Sequence, residues 1–210
     1  RDRRGFFFFF LIEIEKQQLN KLSQEMARLS QEDGLTGLAN RRHFNETLAR
    51  EWAIAEREQQ TIALIFIDVD HFKPYNDTYG HLEGDRVLSL VGKTLKKMAK
   101  RPADLAARYG GEEFVLLLPN TDLKGAYELA QEVLQAIDNL AIPHKSSKAA
   151  KHVSVSIGLS ALTPNAQSSI NTLIDNADEG VYAAKKAGRH RIRAYPTPED
   201  VILRREATIN

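Results

Sequence analysis

The 210-residue chain carries 29 Lys and Arg against 28 Asp and Glu, a net charge of +1, with 42% hydrophobic and 27% charged residues. Such a composition suits one folded domain plus an appendage, excludes a disordered chain, and offers no bulk field for a nucleic acid or a membrane surface. The absence of cysteine excludes disulfides and thiolate metal centres and suits a reducing cytoplasm.

Residues 6–12 form an uninterrupted apolar stretch, too short for a bilayer, which needs roughly 20 residues. The basic RDRRG flank imitates a signal peptide, but Glu13 and Glu15 stand where a small-residue cleavage site belongs. The stretch reads as the remnant of a membrane-proximal segment or as residues foreign to the natural chain. A chain that does not begin with Met reads as a piece of a longer protein. Phe8, Ile12, Glu15, Leu19, Leu22, Met26 and Leu29 follow in alternating steps of four and three, a short heptad seam with one polar interruption. It is compatible with a parallel dimer stalk or with a helix lying on its own domain.

The pattern breaks on Gly34 and Gly37, after which Asn40 is a candidate N-cap for a helix with Phe44, Leu48, Trp52 and Ala55 on one face. "TIALIFIDVD" (61–70) is an apolar run ending in acids, expected as a central strand buried on both faces. A helix follows over about 84–100 (Val87, Leu88, Val91, Leu95, Met98), then a hairpin of strands at about 104–109 and 113–118. Leu123, Ala126, Tyr127, Ala130, Val133, Leu134 and Ile137 mark a further helix. Residues 152–162 form a strand, and Ile170, Leu173, Ile174, Ala177, Val181 and Ala184 a last helix stopped by Gly188. "HRIRAY" (190–195) reads as a final short strand. This order mixes parallel and antiparallel pairing around one sheet, an α+β layout of the split βαβ kind.

Asp68 and Asp70 stand two apart at the end of the first strand, so extended geometry points both to one side. Val69 between them offers its carbonyl oxygen. With Glu112 and Glu113 the chain supplies four carboxylates at two strand ends. If those strands are neighbours, the site is all-oxygen, as Mg²⁺ prefers when it also meets phosphates. Two such ions ~4 Å apart can activate an attacking oxygen and stabilise a leaving one. Taken singly, strand-end acids also serve as loop solvation. In "DHFKPYNDTYGHLEGD" (70–85), Asn76 can donate and accept and Asp85 can accept, which suits the donors and acceptors of guanine. Phe72 and Lys73 could flank a triphosphate. The plainer alternative has Asp77 and Asp85 capping helices and Gly80 and Gly84 making turns. His71 and His81 lack a third ligand at zinc spacing. Lys185 and Arg189 close the last helix, where cations suit the helix dipole in any case. Arg101 and Asp104, in "RPAD", read by themselves as a surface turn.

Together these stretches resemble the GGDEF family of diguanylate cyclases. Gly110-Gly111-Glu112-Glu113-Phe114 is the GGEEF form of the signature. "DGLTGLANRR" (33–42), "FIDVDHFKPYNDTYGHLEGD" (66–85) and "AAKKAGRHRI" (183–192) match the family's opening, nucleotide segment and end. The resemblance covers about residues 33 to 195, leaving 1–32 as an N-terminal helical stalk and 196–210 as a C-terminal tail. It implies a central five-stranded mixed sheet surrounded by helices, similar to adenylyl cyclase catalytic and polymerase palm domains. It also implies condensation of two GTP into cyclic di-GMP and pyrophosphate by a homodimer with one GTP per subunit. By position, Asp68, the Val69 carbonyl and Glu112 or Glu113 would bind Mg²⁺ or Mn²⁺, and Glu113 is favoured to assist deprotonation of the attacking hydroxyl. Asn76 and Asp85 would read guanine, while Phe72, Lys73, His81, Lys185 and Arg189 would surround ribose and phosphates. Arg101 and Asp104 match an inhibitory R-x-x-D site for the product. The domain is expected in the cytoplasm and an upstream sensor is expected of a longer chain, whose membrane anchoring the sequence leaves open. Two rivals are a catalytically inactive module that senses GTP or cyclic di-GMP and a cyclase of different base choice.

Overall fold

The computed structural model describes residues 31–195 together with positions 13, 15–19, 21, 22 and 26 of the preceding segment, which are helical and exposed. Of the expected seam, Phe8, Ile12 and Leu29 lie outside the described residues, as does the tail after residue 195. By its contacts the chain divides into residues 1–31 and residues 32–210, and the larger unit is the subject below. No helix among the described residues is long and apolar enough to cross a membrane.

Helix α1 (Arg41–Glu58) begins where Asn40 accepts the His43 amide at its side chain, satisfying one of the free donors of the first turn. Its apolar face (Phe44, Leu48, Trp52, Ala55) is buried. Strand β1 (Ile62–Val69) is buried along its whole length, as its continuous apolar run requires. Two helices then follow in place of the expected one, α2 (Phe72–Tyr79) and α3 (His81–Met98), separated by Gly80 at φ 87°. The signal for α2 was available: Phe72, Tyr75 and Tyr79 fall at helical spacing, with Phe72 and Tyr75 buried, but Pro74, Asn76 and Asp77 disguise it as a polar loop. Strands β2 (Leu105–Gly110) and β3 (Glu113–Pro119) form the hairpin. Helix α4 (Leu123–Asp138) follows; Tyr127, expected on its apolar face, is exposed. Strand β4 (Val155–Leu162) starts later than expected, and α5 (Ile170–Lys186) and the short β5 (Arg191–Ala194) complete the domain.

The sheet order is β2-β3-β1-β4-β5, antiparallel except for the parallel β4–β5 pair. This is the five-stranded sheet that the family resemblance implied, with the mixed pairing expected from element order. Strand alternation sorts the core into two layers. Ala63, Ile65, Ile67 and Val69 pack with α2, α3 and α4, while Ile62, Leu64 and Phe66 pack with α1 and α5. α5 lies on β4 at backbone distance. A Cβ at Gly158 would run into the Ala177 carbonyl, and one at Gly180 would come within 2.8 Å of the Gly158 Cα. This close approach fixes where the end of α5 stands over the sheet.

Candidate active site

The register of β1 and β3 puts Asp68 directly opposite Glu113. Opposed residues of an antiparallel pair project to the same face, here the one shared with Phe66, Val115 and α5. Glu112 precedes Glu113 in the turn, and its carbonyl accepts the Val69 amide (3.3 Å). Val69 directs its side chain to the opposite core layer. From the last turn of α5, Lys185 brings Nζ to 2.7 Å from Asp68 Oδ2.

The electrostatics of this group are unusual for a surface. Burial pushes the Asp68 carboxyl up to about 6, against the pull of Lys185 and with the repulsion of Glu112 and Glu113. Glu113 is also pushed up, by burial first and then by Asp178 on α5. Three mutually repelling carboxylates with one ammonium among them form an all-oxygen donor set short of positive charge. That donor set fits a hard divalent cation. Asp70 does not share the task. It is fully buried and accepts hydrogen bonds from Ser154 Oγ (2.7 Å), Ser156 Oγ (2.7 Å) and the His190 amide (3.0 Å). The expected fourth carboxylate is therefore a structural acceptor.

The nucleotide segment forms a shelf beside the carboxylates. Lys73, His81 and Asp85 are exposed, and Asn76 turns its Oδ1 toward Gly84, where that oxygen is buried without a hydrogen-bond partner. A side chain at residue 84 would collide with Asn76 and approach the Phe72 ring to 3.2 Å. A buried amide left unpaired is costly unless a ligand completes it. Arg189 lies beyond α5 in a left-handed turn (φ 63°). His71 is held below its ordinary value by burial first and then by the Arg189 charge, so Arg189 faces the start of α2. Arg101 and Asp104 stand elsewhere, at the end of β2 away from the Gly110-Gly111 turn. They are bonded to each other (Arg101 Nε to Asp104 Oδ1, 3.0 Å), and Arg101 also donates to Thr121 Oγ1 at 2.6 Å.

A model of the family described as "Diguanylate cyclase, GGDEF domain" matches residues 30–191. The chain belongs to the GGDEF family. It is 39% identical over 160 residues to diguanylate cyclase DgcP of Pseudomonas aeruginosa, covering 76% of this chain and 23% of that protein. The chain spans about half or less of the length of the curated relatives it matches first. Among solved structures, it resembles the coiled coil and GGDEF domain of DgcB from Caulobacter crescentus in complex with c-di-GMP (TM-score 0.72, 31% identity, 92% of this chain and 100% of that one). The active GGEEF domain of a diguanylate cyclase from Vibrio cholerae matches with TM-score 0.66 and 31% identity, over 76% of this chain and 99% of that one.

The GGDEF domain also uses residues that sequence reasoning did not single out. Arg108 donates to the Gly111 carbonyl through Nε (2.9 Å) and Nη2 (2.7 Å), and its Nη1 lies 3.2 Å from both Asp33 carboxylate oxygens. Burial works to raise the Asp33 carboxyl, but the Thr36 hydroxyl and amide and the Arg108 guanidinium together hold it below its ordinary value. The segment opening the domain is thereby clamped to the turn that carries the glutamates. Asp178 was not singled out either, and Gly84 was read only as a turn residue. Asp33 and Gly84 lay within stretches already matched to the family.

Proposed function

We propose that the chain is a diguanylate cyclase that joins two GTP into cyclic di-GMP and releases two pyrophosphates, dependent on Mg²⁺ or Mn²⁺. The observation carrying this reading is the direct opposition of Asp68 and Glu113, with Glu112 beside them, under a burial that raises both Asp68 and Glu113. Asp68, the Val69 carbonyl, Glu112 and Glu113 are the groups that would hold the ion. Bound there, a divalent ion supplies charge compensation for the triphosphate and lowers the pKa of an attacking hydroxyl.

The chain's own groups do the rest. Asn76 and Asp85 meet the guanine edge, which completes the unpaired Asn76 oxygen with the base's donors. Phe72, Lys73, His81 and Arg189 surround ribose and phosphates. Lys185 neutralises Asp68 in the free protein and turns to a phosphate when substrate enters. Glu113, made more basic by burial and Asp178, takes the proton of the 3′-hydroxyl as it attacks the α-phosphorus. The open shelf holds one GTP, so two subunits meet face to face, each presenting the hydroxyl that attacks the other's nucleotide. Arg101 and Asp104 take cyclic di-GMP as a brake, and a sensor preceding the helical segment sets the encounter of the two cytoplasmic domains.

The test is to incubate the protein with GTP and Mg²⁺ and separate the nucleotides by chromatography. Cyclic di-GMP and pyrophosphate should appear in a 1:2 ratio and vanish with chelator. Glu113→Gln keeps the volume and removes the base, so turnover should fall by roughly 10²–10⁴-fold while GTP is still bound. Near-normal synthesis by that variant would refute the role of Glu113. GTP binding without turnover in the wild type would instead identify a nucleotide-sensing module.

A further inference from the structure

Away from the carboxylates of the strand ends, three side chains from distant parts of the chain converge. Asp138 closes α4, His152 lies in the approach to β4, and His190 lies in the turn before β5. Nε2 of His152 is 3.0 Å from Asp138 Oδ1. Nε2 of His190 is 2.9 Å from both oxygens of the same carboxylate. One ligating atom from each residue lies within 4.8 Å of the other two. The imidazole rings stand at 89° with centroids 5.6 Å apart, edge to face rather than stacked. The side chains are 23–32% exposed, wet enough for an ion to reach and dry enough to hold it.

Two imidazole N–H groups donating to one carboxylate would produce these distances without an ion. The convergence goes further than that role needs, because each His gives up the same nitrogen to the same acceptor, leaving one face for a shared centre. A tetrahedral ion with bonds of ~2.0–2.1 Å to His nitrogen and ~2.0–2.2 Å to carboxylate oxygen sets its ligand atoms ~3.3 Å apart. The two His–carboxylate separations need to open by only a few tenths of an ångström, and the two imidazole nitrogens already lie within 4.8 Å of each other. Two nitrogens and an oxygen select a borderline transition ion over Mg²⁺, which favours the all-oxygen set at the strand ends. In a chain without cysteine no thiolate competes for such an ion.

We propose that Asp138, His152 and His190 bind one divalent transition ion of zinc-like chemistry, with three protein ligands and water completing the shell, at a site independent of the strand-end carboxylates. Its occupancy reaches the phosphate side through one peptide. His190 (φ 48°) adjoins Arg189 (φ 63°), both left-handed, and its amide is bonded to Asp70 Oδ2. An ion on the His190 ring pins the turn from which Arg189 projects and ties it to the end of α4 and the start of β4.

Co²⁺ is the probe, because four- and five-coordinate Co²⁺ with nitrogen ligands absorbs visibly while octahedral all-oxygen Co²⁺ is nearly colourless. One equivalent should give visible absorption that one equivalent of Zn²⁺ abolishes, and the signal should persist in Asp68→Asn. His152→Ala removes a half-exposed ligand and should weaken Co²⁺ binding by at least ~10²-fold, beyond the usual cost of losing an outer-shell partner. Zn²⁺ should raise the melting temperature of wild type and not of His152→Ala, with both melting alike in chelator. His152→Gln serves the same purpose if the alanine variant is poorly folded. A colourless complex would overturn the site. So would equal affinity in wild type and His152 variants, or loss of the signal in Asp68→Asn.

Discussion

Asp68 shows how a single residue proposed to serve chemistry can burden the fold. Burial above all pushes its carboxyl up to about 6 from an ordinary aspartate value of 3.8. In that window the native state binds more protons than the unfolded one, so stability rises as pH falls from about 7 towards 4. The full difference is on the order of 2–3 kcal/mol. Without divalent ions, the wild-type melting temperature should gain several degrees on Asp68→Asn between pH 7 and pH 5, because the amide does not titrate. Calorimetry of both proteins across that range checks it, and a constant gap would remove burial of charge as the cause. Asp68, Glu112 and Glu113 were legible because their spacing at strand ends is local. Arg108 and Asp33 were not, since their contact spans 75 positions of sequence, and neither type carries a local signature. Asp70 misled for a related reason: the serines that occupy it lie 84 and 86 residues away.

At the scale of elements, the hairpin carries the two proposed activities at its opposite ends. The Gly110-Gly111 turn bears the glutamates, and residues 101–104 lead into β2. There Arg101 is held by Asp104 and Thr121, beside a groove of about 370 Å³ lined by Thr61, Asn120 and Gly125 among others. A product phosphate or guanine would have to exchange those contacts for its own. Arg101→Ala should therefore raise the inhibitory concentration of cyclic di-GMP at least ~10-fold, as expected of a charge-assisted hydrogen bond worth roughly 1.5–3 kcal/mol, with little change in initial rate. Progress curves with and without a phosphodiesterase decide it: equal slowing of variant and wild type would reduce the pair to a turn. Most elements were readable from periodicity. α2 was only weakly marked, because eight residues with a proline offer barely two turns of pattern, and the α5–β4 contact was not marked at all, because Gly158 and Gly180 signal their closeness by what they lack.

For the whole molecule, mixed pairing followed from element order and the five-stranded sheet from the family resemblance, while the parallel β4–β5 pair came only from the structure. The helical segment was less legible. Leu19, Leu22 and Met26 are 57–67% exposed, and the polar residues described beside them are exposed too, so exposure does not mark a seam. If pairing there delivers two domains to each other, specific activity should climb with protein concentration, and deleting residues 1–30 should move the midpoint to higher concentration. Activity per subunit unchanged by dilution, with or without the segment, would exclude that arrangement. The buried Asp70 carboxylate bears on how fast such a pair can work. It gathers the end of β1, the entry to β4 and the turn before β5 at one point, and withdrawing any of them strands a charge in the core at a cost of several kcal/mol. The rim of the site is therefore braced at that point. If the proposed cycle needs two domains to meet, its slow step should lie in the meeting and parting of entire domains, so that viscosity and tether length, more than loop sequence, set the turnover number.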